Sequence, residues 1–291
     1  MRGSVLKALK VIVESNLPSE ETPVVPGFGD AQRNIAHLRT QAESWFAVLF
    51  NVYGSVGQEG KSMVGDVISA WVKIAGENEI VTMYKKVITL FKQNLTNPPK
   101  SHPKGSDAPN MTLMAQDLLV LLLPELPQAQ CQELWTLCTS SQVVGNGDAA
   151  IQKRGYRILS KLVQTSKLSS ELNIEEILTG LTASADSVGA PAKRDRITLV
   201  SLLLPRLPSN SLHIIPTLIP EAVLATKEPA ERTRNAAFDL IVAMGKKMKD
   251  GGVVMRSRLD GMDDDATDEG EVYALSLKDV ELIYLSSASN N

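Results

Sequence analysis

Cysteine and histidine are scarce, with two and three residues in a chain of 291. That scarcity excludes much chemistry. Cys131 and Cys138 stand seven residues apart in one helical stretch, a spacing that suits two buried thiols on one face better than a disulfide or half of a metal site. His37, His102 and His213 lie far apart, and none falls in a His-x-x-x-His or Cys-x-x-Cys pattern, so no metal or other cofactor is expected. Aromatic residues make up only 4% while hydrophobic residues reach 43%. A core of Leu, Val, Ile and Ala suits stacked helices better than a sandwich or barrel.

Long apolar runs are missing as well. None exceeds the six residues of 118–123, a run closed by Pro124, and that falls far short of the roughly 20 residues of a membrane helix. Lys7 and Lys10 interrupt the first apolar stretch, so no secretion signal is read there, and a soluble chain of a reducing compartment is predicted. No phosphate-cradling Gly-rich loop, Gly-x-Ser-x-Gly elbow or His-Glu-x-x-His occurs, which leaves catalysis without a starting motif. An enzyme is not expected. The acidic run Gly261-Met-Asp263-Asp264-Asp265-Ala-Thr-Asp268-Glu269 lacks the alternating oxygen ligands and the closing Glu of an EF-hand, and reads as a solvated acidic loop.

Charge of one sign is unevenly placed. The net charge is -3, yet residues 152–249 hold 15 Lys/Arg against 9 Asp/Glu, while residues 250–291 hold 3 against 10. Nine of the twelve arginines follow residue 150, and arginine is the side chain best suited to bidentate phosphate contacts.

What is abundant is helical periodicity. Ile80, Met83, Tyr84, Val87, Ile88, Phe91 and Leu95 trace one helical face with Lys85, Lys86 and Lys92 off it. Met63, Val67, Trp71 and Ile74 make another stripe ending near Gly76, and a third helix opens after Asp30. Trp45 and Trp71 sit on apolar faces and are expected in the core. Further helices are predicted near 111–123, 129–140, 148–165, 173–182, 193–204, 211–225 and 229–249. Asn173 with Glu176 reads as a capping box, and Lys246, Lys247 and Lys249 before Gly251-Gly252 suit a helix C-terminus. The Pro/Ser/Gly-rich stretch 97–110 is expected to be a linker dividing helical repeats 1–96 from 111–249, with an acidic loop and C-terminal segment at 250–291.

The segment Leu121-Leu-Leu-Pro124-Glu-Leu-Pro127 recurs as Leu202-Leu-Leu-Pro205-Arg-Leu-Pro208, and Tyr156 corresponds to Phe238 at nearly the same offset. That offset, about 80 residues, is two units of about 40, the period of helix-pair repeats. The fold expected is an all-α, HEAT/armadillo-like α-solenoid of stacked antiparallel helix pairs. Lys153, Arg154 and Arg157, then Lys193, Arg194 and Arg196, then Arg232 and Arg234 recur near helix starts about 40 residues apart. Equivalent positions in a solenoid stack, so these eight are the candidate stripe for RNA backbone or acidic protein segments. No base-stacking aromatics accompany them.

Specific segments also resemble a known family. Asn34-Ile-Ala-His37-Leu-Arg39, Ser44-Trp45-Phe-Ala-Val-Leu-Phe50-Asn51-Val-Tyr53 and Gly65-Asp66-Val-Ile-Ser-Ala-Trp71-Val-Lys-Ile-Ala75 are similar to the characteristic domain of the ribosomal RNA-processing protein 12 family. Gln152-Lys-Arg154-Gly-Tyr156-Arg157, the stretch from Arg234 to Gly252 around Met244-Gly245, and Gly261-Met262-Asp263 extend the resemblance over residues 25–265 in patches. It implies a long HEAT-repeat protein of the nucleolus and nucleus, of which this chain is a central piece. It implies a non-catalytic scaffold in small-subunit pre-ribosome assembly, rRNA processing and export, with pre-rRNA, assembly factors and the nuclear export machinery as partners and with shuttling to the cytoplasm. The alternative carried by a solenoid alone is a karyopherin-like transport adaptor that binds only protein.

Overall fold

A computed structural model describes residues 2–17, 31–98, 110–165, 167–168 and 172–251. Among them the chain is helical throughout, with eleven α-helices and no strand. They are α1 (Arg2–Glu14), α2 (Ala31–Ser55), α3 (Gln58–Ile74), α4 (Glu77–Thr96), α5 (Met111–Leu122), α6 (Gln128–Thr139), α7 (Ala149–Gln164), α8 (Ile174–Ala183), α9 (Ala190–Leu203), α10 (Ile215–Ala225) and α11 (Glu231–Asp250). The all-α helical-repeat fold is therefore the one the periodicity predicts.

The chain forms two compact units, residues 1–143 with 165–169, and residues 144–164 with 170–291. In the first, α3 packs on α1 and α2, and α5 on α3 and α4. The stripe read on α4 is the face it buries, with Ile80, Met83, Tyr84, Val87, Ile88 and Phe91 all enclosed. Trp71 is buried and its ring lies 5.6 Å from that of Trp45. Tyr84 donates to Glu133 Oε2 at 3.1 Å, and Lys92 to Glu133 Oε1 at 2.6 Å, which ties α4 to α6. Cys131 and Cys138 are free and buried in α6. Burial pushes both thiols up from the usual range.

The expected division at 97–110 does not mark the boundary between these units. Residues 99–109 lie outside the described residues, but α4 and α5 on either side of them pack against each other, and the division falls at 143/144. The break in the helix is where the prolines put it; the packing of the flanking helices makes one unit of both sides. The acidic run after residue 260 also lies outside the described residues.

In the second unit α9 packs between α7 and α11, α10 lies on α11, and α8 lies on α9. Odd helices form one layer and even helices intervene, the arrangement of a helix-pair repeat. Asn173 caps α8 by accepting the Glu176 N–H at 3.2 Å. The helix expected at 193–204 starts at Ala190, with Pro191 in its first turn where a missing N–H costs nothing. The one expected at 211–225 begins as a 3-10 turn, Ser209–Ile214, and becomes α-helical at Ile215.

The repeated Leu-Leu-Leu-Pro segments fold alike. Each ends a helix, continues as a 3-10 turn, Leu123–Glu125 or Leu204–Arg206, and leaves the turn in extended backbone. In each, a downstream lysine donates to the proline carbonyl: Lys167 to Pro124 O, and to Leu126 O at 3.1 Å, and Lys247 to Pro205 O at 3.1 Å. The internal repeat is thus one of structure as well as of letters.

Candidate nucleic-acid interface

The eight basic positions lie within the first three turns of α7, α9 and α11, so the site begins with what aligns those helix starts. Gln152, buried in α7, donates through Nε2 to Ser187 O at 3.0 Å and accepts the Gly189 N–H on Oε1 at 2.9 Å. One side-chain amide thereby clamps the entry of α9 to the first turn of α7. Position 189 has to be glycine at this approach, because a Cβ there would fall 2.5 Å from the Ala149 Cβ. Asp148 opens α7 by accepting the Ala150 N–H at 2.8 Å. Further along, Lys193 pairs with Glu228, and Arg234 donates to Glu228 O at 3.1 Å and Pro229 O at 2.8 Å, so the loop before α11 is held against α9. The three helix starts share one edge.

The eight residues do not behave alike on that edge. Lys153, Arg157, Arg194 and Arg232 are exposed, and Arg154 is half-buried. Lys193 and Arg234 are engaged in holding the loop at 228–229. Arg196 departs from the expected surface stripe altogether. Its side chain has no exposure: Nε and Nη2 bridge Glu221, at 2.5 and 2.9 Å, Nη2 also meets Leu181 O, and Nη1 reaches the Tyr156 hydroxyl at 3.3 Å. The physical reason is its register. Arg196 shares a helical face with the buried Ala192, Leu199, Val200 and Leu203. Burial opposes its charge, yet the Glu221 carboxylate more than compensates, and the guanidinium holds its proton more tightly than usual. Arg196 therefore ties together α7, α8, α9 and α10 and faces no ligand.

Two residues join the site that the basic pattern did not single out. Lys161 continues Lys153 and Arg157 at four-residue spacing, and all three are exposed on α7; the spacing itself was the signal. Asp195, flanked by Arg194 and Arg196, is half-buried with Lys153, Arg194 and Arg157 around it. Burial raises its carboxyl above the ordinary range, and the three cations pull it back only in part. The charges of Lys153, Arg157 and Arg194 thus all act on one acid across the packed α7 and α9.

Fold and edge together define a helical-repeat protein whose basic flank is assembled from successive repeats. Among the described residues no group of three or more His, Cys, Asp or Glu is placed to hold a metal, and no helix is long and apolar enough to cross a membrane. No family model matches the chain. Curated relatives do align along most of it. Ribosomal RNA-processing protein 12 of Saccharomyces cerevisiae is 30% identical over 92% of this chain and 23% of its own length. Putative ribosomal RNA-processing protein 12 of Schizosaccharomyces pombe is 28% identical over 84% of the chain and 22% of its own length. The RRP12-like protein of Homo sapiens is 25% identical over 74% and 16% respectively. The chain belongs to the ribosomal RNA-processing protein 12 family. It spans less than a quarter of the length of these relatives.

Proposed function

We propose that this chain is a non-catalytic helical-repeat scaffold in ribosomal RNA processing, acting within the nucleolus and nucleus on small-subunit pre-ribosomes and their export. The names of its relatives support the process. The observation that supports RNA as the ligand is the convergence of exposed Lys153, Arg157 and Arg194 on one edge of two stacked repeats, extended by Lys161. Such an edge suits backbone phosphates, which bind cations from any repeat without reading sequence. Lys193 and Arg234 keep the edge aligned, and Arg232 extends it onto α11.

The test is RNA binding by the chain as a function of salt. A Lys153→Glu, Arg157→Glu, Arg194→Glu variant that keeps its helical circular dichroism is expected to bind a pre-rRNA fragment more weakly. Its log–log salt slope should be shallower by about two to three, at roughly 0.7–0.9 per lost phosphate contact. Unchanged affinity and slope would overturn the reading.

One observation favours the second reading, a karyopherin-like adaptor that binds protein alone. A cavity of about 320 Å³ in the second unit has Ile197, Pro220 and Leu224 in its lining, and Leu224 is 69% exposed. Peptide binding there would persist at high salt, whereas backbone binding on the edge would not.

A further inference from the structure

The charge arrangement around Asp195 goes beyond a basic surface. Lys153 and Arg157 lie one turn apart on α7, Arg194 comes from α9, and the Gln152 clamp fixes the two helices against each other. Asp195 is half-buried beside these three cations, yet among the described residues it makes neither a hydrogen bond nor a close ion pair with any of them. A carboxylate so placed lowers the potential of the cluster without engaging its donors. The donors stay available: two guanidinium forks and one ammonium, the set that matches the oxygens of a phosphodiester. A surface built only to attract polyanions has no use for an acid in its midst, and burial makes that acid costly to keep charged.

We propose that Lys153, Arg157 and Arg194 form a single phosphate seat for the RNA backbone, bridging α7 and α9, with Asp195 as a resident anion that repels each bound phosphate. This rests on the RNA reading above and adds to it a location and a brake. The acid weakens the attraction of the seat for phosphate, so binding is looser and more readily reversed than three cations alone would make it. Because the seat draws on two repeats, its geometry also depends on how α7 and α9 are stacked.

The experiment compares the wild-type chain with Asp195→Asn in binding a single-stranded RNA oligonucleotide over a series of salt concentrations. Removing one anion a few ångströms from the bound phosphate, at a surface dielectric between that of water and 20, is expected to tighten binding about three- to tenfold at 100 mM salt. Asp195→Ser serves as a second neutral variant should the amide disturb folding. Asp239→Asn, which removes an exposed acid on α11, controls for net charge and is expected to change affinity by less than about twofold. In a cycle with Arg157→Gln the gain from Asp195→Asn should shrink, because the acid and the arginine act on one phosphate. Wild-type affinity in Asp195→Asn and Asp195→Ser would overturn the seat, as would a gain no larger than that of Asp239→Asn or one that persists undiminished with Arg157→Gln. If the folded wild-type chain binds no RNA at any salt, the RNA reading itself fails and the seat with it. If it binds, and the triple charge reversal weakens it while the Asp195 variants change nothing, only the seat fails.

Discussion

Replacing Arg196 by Met should destabilise the second unit by about 3 kcal/mol. The methionine retains an unbranched apolar stem of similar reach and removes the guanidinium fork. That strands two groups, the Glu221 carboxylate and the Tyr156 hydroxyl, while the Leu181 carbonyl keeps the Ser184 N–H and hydroxyl. Removing one partner of a buried ion pair costs roughly 3–5 kcal/mol, and each buried polar group left unpaired about 1–3 kcal/mol. Glu221 keeps 24% of its side-chain exposure, so water recovers part of the loss, which places the expectation at the low end of that range. Replacing both partners, as Arg196→Met with Glu221→Leu, leaves no uncompensated charge and should return stability to within about 1–2 kcal/mol of the wild type. The assay is urea unfolding followed by two probes. All three tryptophans, Trp45, Trp71 and Trp135, belong to the first unit, so their fluorescence reports that unit, while circular dichroism at 222 nm reports helices of both. The Arg196 variant should lower the midpoint of the part of the dichroism change that fluorescence does not follow. A loss below about 1 kcal/mol, or a double variant as unstable as the single one, would refute the idea that Arg196 is a buried tie and return it to the surface set.

Two other outcomes follow from packing and protonation. Gly189→Ala places a Cβ 2.5 Å from the Ala149 Cβ; a cost of about 1–3 kcal/mol is expected in thermal unfolding, relieved when Ala149→Gly is added. The buried Cys131 and Cys138 thiols and the Tyr84 and Tyr156 hydroxyls all hold their protons above their ordinary ranges, principally through burial. Unfolding therefore releases protons in alkali, so the stability these groups contribute is intact below about pH 8.5 and declines as pH rises through the unfolded-state thiol and phenol ranges. Urea midpoints measured from pH 7 to 10.5 should fall, and a flat profile would contradict the burial of these groups.

Much of the fold was legible from spacing, and the particular residues say why. The α4 stripe repeats at helical period because one face must meet its neighbours, so Ile80 to Phe91 could be read directly. The Leu-Leu-Leu-Pro repeat was legible because proline closes a helix in the same way wherever the local sequence recurs. Arg196 was misread for want of register: its neighbours Lys193 and Arg194 invite a surface reading, while Ala192, Leu199, Val200 and Leu203 already mark its face as the buried one. The division at 143/144 was not legible, since it depends on α4 packing against α5 across an intervening segment, and no local composition encodes that contact. Nor was the Gln152 clamp, whose partners at 187 and 189 are set by tertiary approach alone. The seat was half legible: its cations stand out as a pattern, but the role of Asp195 appears only once two helices lie side by side.

The lysines that close the two proline corners have a consequence for how the chain is made. Lys167 lies 43 residues after Pro124, and Lys247 lies 42 after Pro205. A chain emerging from a ribosome at about 5–20 residues per second reaches each closing lysine a few seconds after its corner. Through that interval the Pro124 and Pro205 carbonyls face water or a neighbouring chain, and each corner is finished by the helices that follow it. Assembly on this plan runs from the N-terminus with a lag of about one repeat, so a chain cut short by one repeat would leave its last corner open.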